Sequence, residues 1–329
     1  MFQETRALFI YCLSPVHMGA GTAIGMIDNP IQRERHTEYP TMAGSGLKGA
    51  ARHHVIASGG DRSLVDRIFG PEVHASDHAG AISFADAQLV AFPVRSLRRA
   101  FVYATSPTAL ARTRRALALA GHDLAWTIGD DPGSNRCRVA DGQILTDNGL
   151  TLEAFKFEAT IDAWLGEIAG WLAKHALPQT AEDDAEDDEF RFFRDKLGRD
   201  LVLLSDEDFA FFVRNSTVVE PHVRIRDATG TADEGGLFYT ENLPPESLLL
   251  TLLFASEERR RDTQGKQGRD DAEPPPKKLT AREVIDLVLR GDSDRKWSRL
   301  DGALMQVGGD ATTGRGQVIL RAPEGENER

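Results

Sequence analysis

The chain has 329 residues, 41% of them apolar, and a formal net charge of −12 at pH 7. That length suits one elaborated core or two fused halves, and no apolar run approaches the roughly 20 residues that cross a bilayer. Cys12 and Cys137 are the only cysteines and form no CxxC pair, which argues against a disulfide scaffold or a cysteine zinc site and fits a reducing cytoplasm.

The opening MFQETRALFIYCLSP sets an acid beside its single basic residue and has a short apolar run. It predicts a first strand over 6–13 and not a signal peptide. A loop with Gly19, Gly21, Gly25 and Pro30 follows, then a glycine-rich turn over 40–46 and a helix over 47–57 with apolar residues at helical spacing. Residues 80–94 read as strands on either side of a bend, and 101–105 as another strand. Ser106 and Pro107 supply a cap and a first-turn proline for a helix ending near Gly121. Its residues Arg112, Arg114 and Arg115 read as a solvated basic face.

The acid block AEDDAEDDEF at 181–190 predicts a solvated loop within an acidic helical and loop insertion over 126–200. Residues 201–215 read as a strand, a Ser205 cap with Asp208 three residues on, and a short helix. From 222 to 256 the alternation of Val223 and Ile225 and the turn at 227–230 predict a hairpin arm feeding a strong strand. The polar, proline-ended stretch 257–278 is expected to be a mobile loop. A helix over about 280–290 and a glycine loop before a last strand close the chain. With no regular βαβ repeat, the fold class is α+β, an antiparallel sheet backed by helices.

The net charge alone argues against a nucleic-acid partner, but the charge is unevenly placed. Residues 126–189 hold 4 basic and 15 acidic residues, whereas residues 1–125 hold 13 basic and 10 acidic. Surface fields act within about one Debye length, roughly 8–10 Å, so a basic face is compatible with an acidic lobe.

Three stretches carry candidate chemistry. In AGSGLKGAAR (43–52), Gly44 and Gly46 predict a turn with uncovered amides, the following helix points its N-terminus at that turn, and Lys48 adds a charge. The same residues also fit an ordinary loop-to-helix turn with a solvent lysine. VGGDATTGRG (307–316) packs four glycines with Arg315, which fits either a tight bulge or the close approach of a ligand backbone. In GTAIGMIDNP (21–30), Asp28 stands alone before Asn-Pro, either as a turn former or as a reactive carboxylate. A lone His17 fits a hydrogen-bonded structural role, and no histidine or acid spacing points to a dedicated zinc site.

Taken together, SPVHMGAGTAIGMIDNPIQRERHTEYPTMAGSGLKGAAR (14–52) resembles the N-terminal signature of the RAMP superfamily. Within it the nearest resemblance is to the repeated backbone subunit of type III-B (Cmr) CRISPR effector complexes. IDNPIQRE at 27–34 and PTMAGSGLKGAAR at 40–52 carry the likeness, with the hairpin region 224–249 and GGDATTGRGQV at 308–318. The middle, about 125–200, and the loop 257–278 carry none.

The resemblance implies a single RAMP domain over 1–329, with an RRM-like (ferredoxin-like) palm, an inserted finger region and a protruding thumb hairpin at about 221–242. It implies an RNA-guided endoribonuclease whose copies stack along a CRISPR guide RNA beside other Cmr-type subunits. Target single-stranded RNA would be cut at regular intervals with a divalent cation, Mg²⁺ or Mn²⁺, held jointly with RNA phosphates. Asp28 maps to the cleavage residue and possible metal ligand, and Lys48 to a guide-phosphate contact. The remaining expected RNA contacts are His17, Gly44, Ser45, Gly46, Arg52, Gly308, Gly309, Gly314, Arg315 and Gly316. No membrane partner is implied. Two other readings stand beside this one: a non-cleaving guide-binding filament subunit, and an unrelated enzyme using the glycine segments for a phosphorylated metabolite.

Overall fold

The computed structural model describes residues 2–23, 25–72, 78–146, 149–179, 188–259 and 277–324. Along the chain, β1 (Glu4–Cys12) and the short β2 (Thr41–Met42) precede helices α1 (Gly44–Ala57) and α2 (Arg62–Phe69). Strands β3 (Ile82–Phe84), β4 (Ala87–Ser96) and β5 (Ala100–Thr105) lead to α3 (Pro107–Leu119). The middle adds β6 (Arg136–Val139), β7 (Gly149–Leu152), β8 (Phe155–Ile161), α4 (Ala163–His175), α5 (Arg191–Arg199) and β9 (Leu201–Leu204). Helix α6 (Asp206–Asn215) enters the hairpin of β10 (Val218–Ile225) and β11 (Ala232–Asn242). The chain closes through β12 (Leu248–Ala255), α7 (Ala281–Arg290), β13 (Leu304–Gln306) and β14 (Gln317–Arg321).

The central sheet places β14, β1, β12 and β4 side by side, each pair antiparallel. In chain order these are the last, first, third and second of the four. Strand β1 reads ETRALFIYC, and its run is apolar because both faces are covered. Alternate side chains of a strand point to opposite faces. Leu8, Ile10 and Cys12 accordingly join one core with α1, α2 and α7, while Ala7, Phe9 and Tyr11 join a second with α3, α4 and α5. Strand β12 divides the same way, Leu249 and Leu253 to one side and Leu248 and Leu250 to the other. Both cysteines are buried free thiols. Burial pushes Cys12 far up and Cys137 up to about 12, which leaves them unreactive.

Strand β4 belongs to two pairings. Its first half lies against β12 and β2, and its second against β5. From there β5, β9, β6, β8 and β7 follow in order, and Ser96 of β4 meets Leu152 of β7, closing a ring. The middle segment is therefore not only helix and loop, as its composition predicts. Cys137, Val139, Leu150, Leu152 and Phe157 are buried, while Glu153 and Glu158 face outward. Strands of four to seven residues show too few alternations to stand out against so much acid. The acid block itself lies mostly outside the described residues, as does most of the expected loop 257–278.

Local signals held elsewhere. Ser106 accepts from the Ala109 amide to cap α3, Ser205 accepts from Asp208 to cap α6, and Thr280 and Glu283 form a reciprocal box at α7. On α3, Arg114 and Arg115 are exposed, as expected of a solvated basic face, and Arg112 is the exception. Arg112 is largely buried, donates to Glu34 at 2.6 Å and lies over the Tyr39 ring, while Arg114 donates to the Trp126 carbonyl.

Beneath β1, the Tyr11 and Tyr103 hydroxyls meet at 2.8 Å, and Tyr11 also donates to the Glu246 carboxylate. Burial pushes the Glu246 carboxyl up to about 7 from an ordinary 4.5. A carboxyl raised in the folded state contributes stability that is full below its unfolded value and is lost as pH rises through the folded one. Between pH 4.5 and 7, Glu246 therefore lowers stability with rising pH. Urea unfolding at pH 5 and pH 8 should show a smaller pH difference for Glu246→Gln than for the parent chain, and equal differences would contradict this.

Candidate functional site

The hairpin base organises the site. One edge of β11 pairs with β10, with Thr240 opposite Glu220. The opposite edge takes other segments at alternate residues, as the two-residue period of a strand requires. The Tyr239 amide donates to Asp28 Oδ2 at 2.7 Å, and the Tyr239 carbonyl accepts from the Asn29 amide at 3.0 Å. The Glu241 amide donates to the Asn29 carbonyl at 3.0 Å. The Glu241 carbonyl accepts from His17 Nδ1 at 2.7 Å, and Leu243 exchanges two 2.9 Å bonds with Val16. A carbonyl only accepts, so Nδ1 carries the His17 proton. Asp28 and His17 thus hang from one strand edge, two residues apart, which is roughly 7 Å along it.

Glu241 fixes this arrangement. Its side chain is 4% exposed and accepts from Arg33 Nη2 at 2.5 Å, Thr217 Oγ1 at 2.8 Å and the Ile31 amide at 3.1 Å. A buried carboxylate needs this many donors. Sequence reasoning alone does not single it out. The available signal is weak: one acid in the polar end of LFYTEN, just after its apolar residues.

The glycine segments converge on residues 15–19. The Gly309 amide donates to the His17 carbonyl at 2.9 Å and the Gly316 amide to the Pro15 carbonyl at 2.8 Å. Gly308 and Gly316 have φ of 73° and 81°, and a Cβ there would lie 2.3 Å from the His17 carbonyl and 2.0 Å from that of Val307. No side chain fits, which decides the case for close approach within the protein itself. A Cβ on Gly46 would lie 2.8 Å from the Met18 side chain. Gly314, with open space around it, lies at the tip of the loop.

Gly44 and Gly46 are not in a positive-φ turn, contrary to the sequence expectation. Both lie in the first turn of α1, which starts three residues earlier than its apolar spacing predicts. Gly44 is required for space, since a Cβ would lie 2.1 Å from the Phe84 carbonyl. Its amide donates to Asp86 Oδ1 at 2.8 Å, so a protein carboxylate already holds one of the free helix donors. Ser45 and Gly46 remain exposed at that end, no acid lies in the first turn, and Lys48 stands half-buried beside them. Burial, then Arg52 and Arg259, lower the Lys48 pKa, and among the described residues Lys48 has no acidic partner.

Two expected contacts already hold carboxylates. Arg52 donates to Asp66 at 2.5 Å and to the Gly70 carbonyl, tying α1 to α2. Arg315 places one Nη2 between both oxygens of Glu220, at 2.7 and 2.6 Å, tying the C-terminal loop to β10. The structure thus brings His17, Gly46, Gly308, Gly309 and Gly316 together and joins Asp28 to them through β11. Lys48 lies one turn along α1, and Arg52 serves the helix pair. Among the described residues, no three His, Cys, Asp or Glu side chains form a metal-binding group, and no helix is long and apolar enough to cross a membrane.

The RAMP superfamily model matches residues 9–319, which contain every one of these positions. The chain belongs to the RAMP superfamily. Within it, the chain is 31% identical over 320 residues to the CRISPR system Cmr endoribonuclease Cmr4 of Pyrococcus furiosus, covering 97% of this chain and 95% of the relative. It is 25% identical over 268 residues to the CRISPR system CMR subunit Cmr4 of Saccharolobus solfataricus, covering 76% and 84%. Its fold is that of the oligomeric Cmr4 crystal structure from Pyrococcus furiosus, with a TM-score of 0.68 and 24% identity over 98% of this chain and 99% of the other. A chain of the type III-B Cmr-beta complex bound to cognate target RNA aligns with a TM-score of 0.66 and 18% identity over 98% of both.

The packing around α1 yields a paired test. Gly44→Ala should destabilise the chain by about 1–3 kcal/mol, because a methyl group has no room in a packed contact. Gly49→Ala, in the same helix with nothing within 4 Å of its Cβ, should stabilise it by up to about 1 kcal/mol. Denaturant unfolding measures both, and two changes of the same sign would contradict the assigned packing.

Proposed function

We propose that this chain is the guide-RNA-binding backbone subunit of a type III-B effector complex and cuts target RNA at regular intervals, with Asp28 as its cleavage residue. The observation that carries this reading is the setting of Asp28. Its Oδ2 is taken by the Tyr239 amide, while Oδ1 has no partner among the described residues. A turn former satisfies its own loop; this carboxylate is braced from outside, at the foot of a projecting hairpin.

The rest of the molecule supports the same reading. The strand order last–first–third–second, with α1 and α7 on one face, fits an RRM-like palm. The middle segment serves as the finger region. The hairpin Val218–Asn242 serves as the thumb, three residues longer at its start than the sequence indicates. The exposed Val223, Ile225 and Leu237 give that hairpin an apolar surface to set against displaced bases.

The chemistry needs little from the protein. RNA carries its own nucleophile, the 2′-OH, but a stacked A-form strand does not line it up with the leaving oxygen. Extruding a nucleotide costs a few kcal/mol and frees the backbone to reach that geometry. Asp28 Oδ1 is then placed to accept the 2′-OH proton or to hold a cation. The described residues do not form a resident metal cage. One carboxylate fits a divalent ion that arrives with RNA phosphates and offsets their charge. His17, Ser45, Gly46, Lys48 and the 308–316 loop would receive the guide backbone. Copies of the chain would stack along that guide with the other Cmr-type subunits.

In a complex reconstituted with guide RNA, Asp28→Ala should abolish target cleavage while guide and target binding persist. Cleavage at the parent rate would favour the non-cleaving filament subunit, and loss of assembly would make Asp28 structural.

A further inference from the structure

A second basic feature lies beside the Asp28 loop. Ile27, Arg33, Glu34, Arg35, Glu38, Arg214 and Glu241 line a cleft of about 680 Å³, within the roughly 300–1,000 Å³ typical of ligand sites. Ile27, the residue before Asp28, forms one wall; the 33–38 turn and the end of α6 form the others. None of the expected guide-contacting segments, 15–19, 44–48 or 308–316, lines it.

Pairing of the charges singles out one arginine. Glu34 accepts from Arg112 and Thr37, both at 2.6 Å. Glu241 accepts from Arg33 at 2.5 Å, and Glu38 from Arg214 at 2.9 Å. Every acid in the cleft is therefore held by another residue. Arg35 is exposed and has no hydrogen-bond or ion-pair partner among the described residues, so the cleft carries an unspent cation.

The three lining arginines differ in what they are free to do. Arg33 is bound to a carboxylate 4% exposed, and removing it would leave that charge buried and unpaired. The Arg214–Glu38 pair has both side chains about half exposed, at 47% and 55%, and such pairs contribute little. Arg214 therefore exchanges partners at small cost. An arginine fork is suited to phosphate, offering parallel donors at fixed spacing.

Resting on the assignment of Asp28 as the cleavage residue, we propose that this cleft seats a backbone phosphate of the target strand flanking the cut linkage. Arg35 is its first contact and Arg214 its second. Arg33 positions the wall through Glu241 and does not touch RNA. Holding the flanking phosphate fixes the strand on one side of the displaced nucleotide, so that the freed linkage turns toward Asp28.

Target binding is measured in the guide-loaded complex in the Asp28→Ala background, so it reports on the cleft whether or not Asp28 is the cleavage residue. Arg35→Glu should weaken target binding about tenfold or more, as expected when a charged hydrogen bond is removed. It should also lower the log–log salt slope by about 0.7–0.9 for each phosphate that is no longer neutralised. Arg35→Lys should restore most of both. In the cleaving complex, a target with an uncharged methylphosphonate at the flanking linkage should be cut more slowly by the parent, and Arg35→Glu should slow it no further. Unchanged affinity and salt slope in Arg35→Glu would overturn the proposal. So would independent, multiplicative effects of Arg35→Glu and of the methylphosphonate at every position near the cut.

Discussion

The buried carboxylate of Glu241 is the interaction on which the site depends. It sits where the hairpin leaves the sheet, and its oxygens gather Arg33, Thr217 and the Ile31 amide while its backbone holds Asn29 and His17. Breaking a buried ion pair by removing one partner typically costs about 3–5 kcal/mol, because the remaining charge is stranded. The same acid therefore specifies how the hairpin, the 27–34 loop and the 15–19 loop meet. Asp28 is a loop residue, yet it is held on the edge of a strand whose other edge builds the hairpin, and any motion of the hairpin base carries the carboxylate with it.

Around that clamp the protein is built by close approach. The 307–316 loop lies on the 15–18 segment with no room for a side chain at Gly308 or Gly316, and α1 lies on the β3–β4 connection with none at Gly44. These contacts are backbone against backbone. They hold the exposed start of α1, with Ser45, Gly46 and Lys48, beside the loop that leads to Asp28. The sheet beneath, buried on both faces by two cores, gives these contacts a rigid floor.

Much of this was legible in the chain. The apolar run of β1, the Ser106-Pro107 start of α3 and the alternation and turn of the hairpin are local signals, and each lies where local chemistry puts it. The motif residues 27–34 and 40–52 marked out the loop that β11 holds and the start of α1. What could not be read depends on partners far along the chain. Gly44 looks like a turn glycine until the Phe84 carbonyl is placed against it, and then it is a helix residue chosen for its missing Cβ. Arg52 and Arg315 look like free cations until Asp66 and Glu220 are brought to them. Glu241 is one acid among many, and only the fold surrounds it with donors. The strands of the middle segment were hidden because pairing, of β6 with β9 and β8 and of β7 with β8 and β4, selects them more than their own short sequences do.

The direct measurement is a structure of the assembled complex with guide and an uncleavable target carrying a 2′-deoxy nucleotide at the cut position. The account predicts a displaced nucleotide at the foot of each hairpin, with the Asp28 carboxylate facing its sugar while the Tyr239 and Glu241 bonds persist. An Asp28 carboxylate turned away from every sugar, with the target strand stacked without interruption past the hairpin, would contradict it.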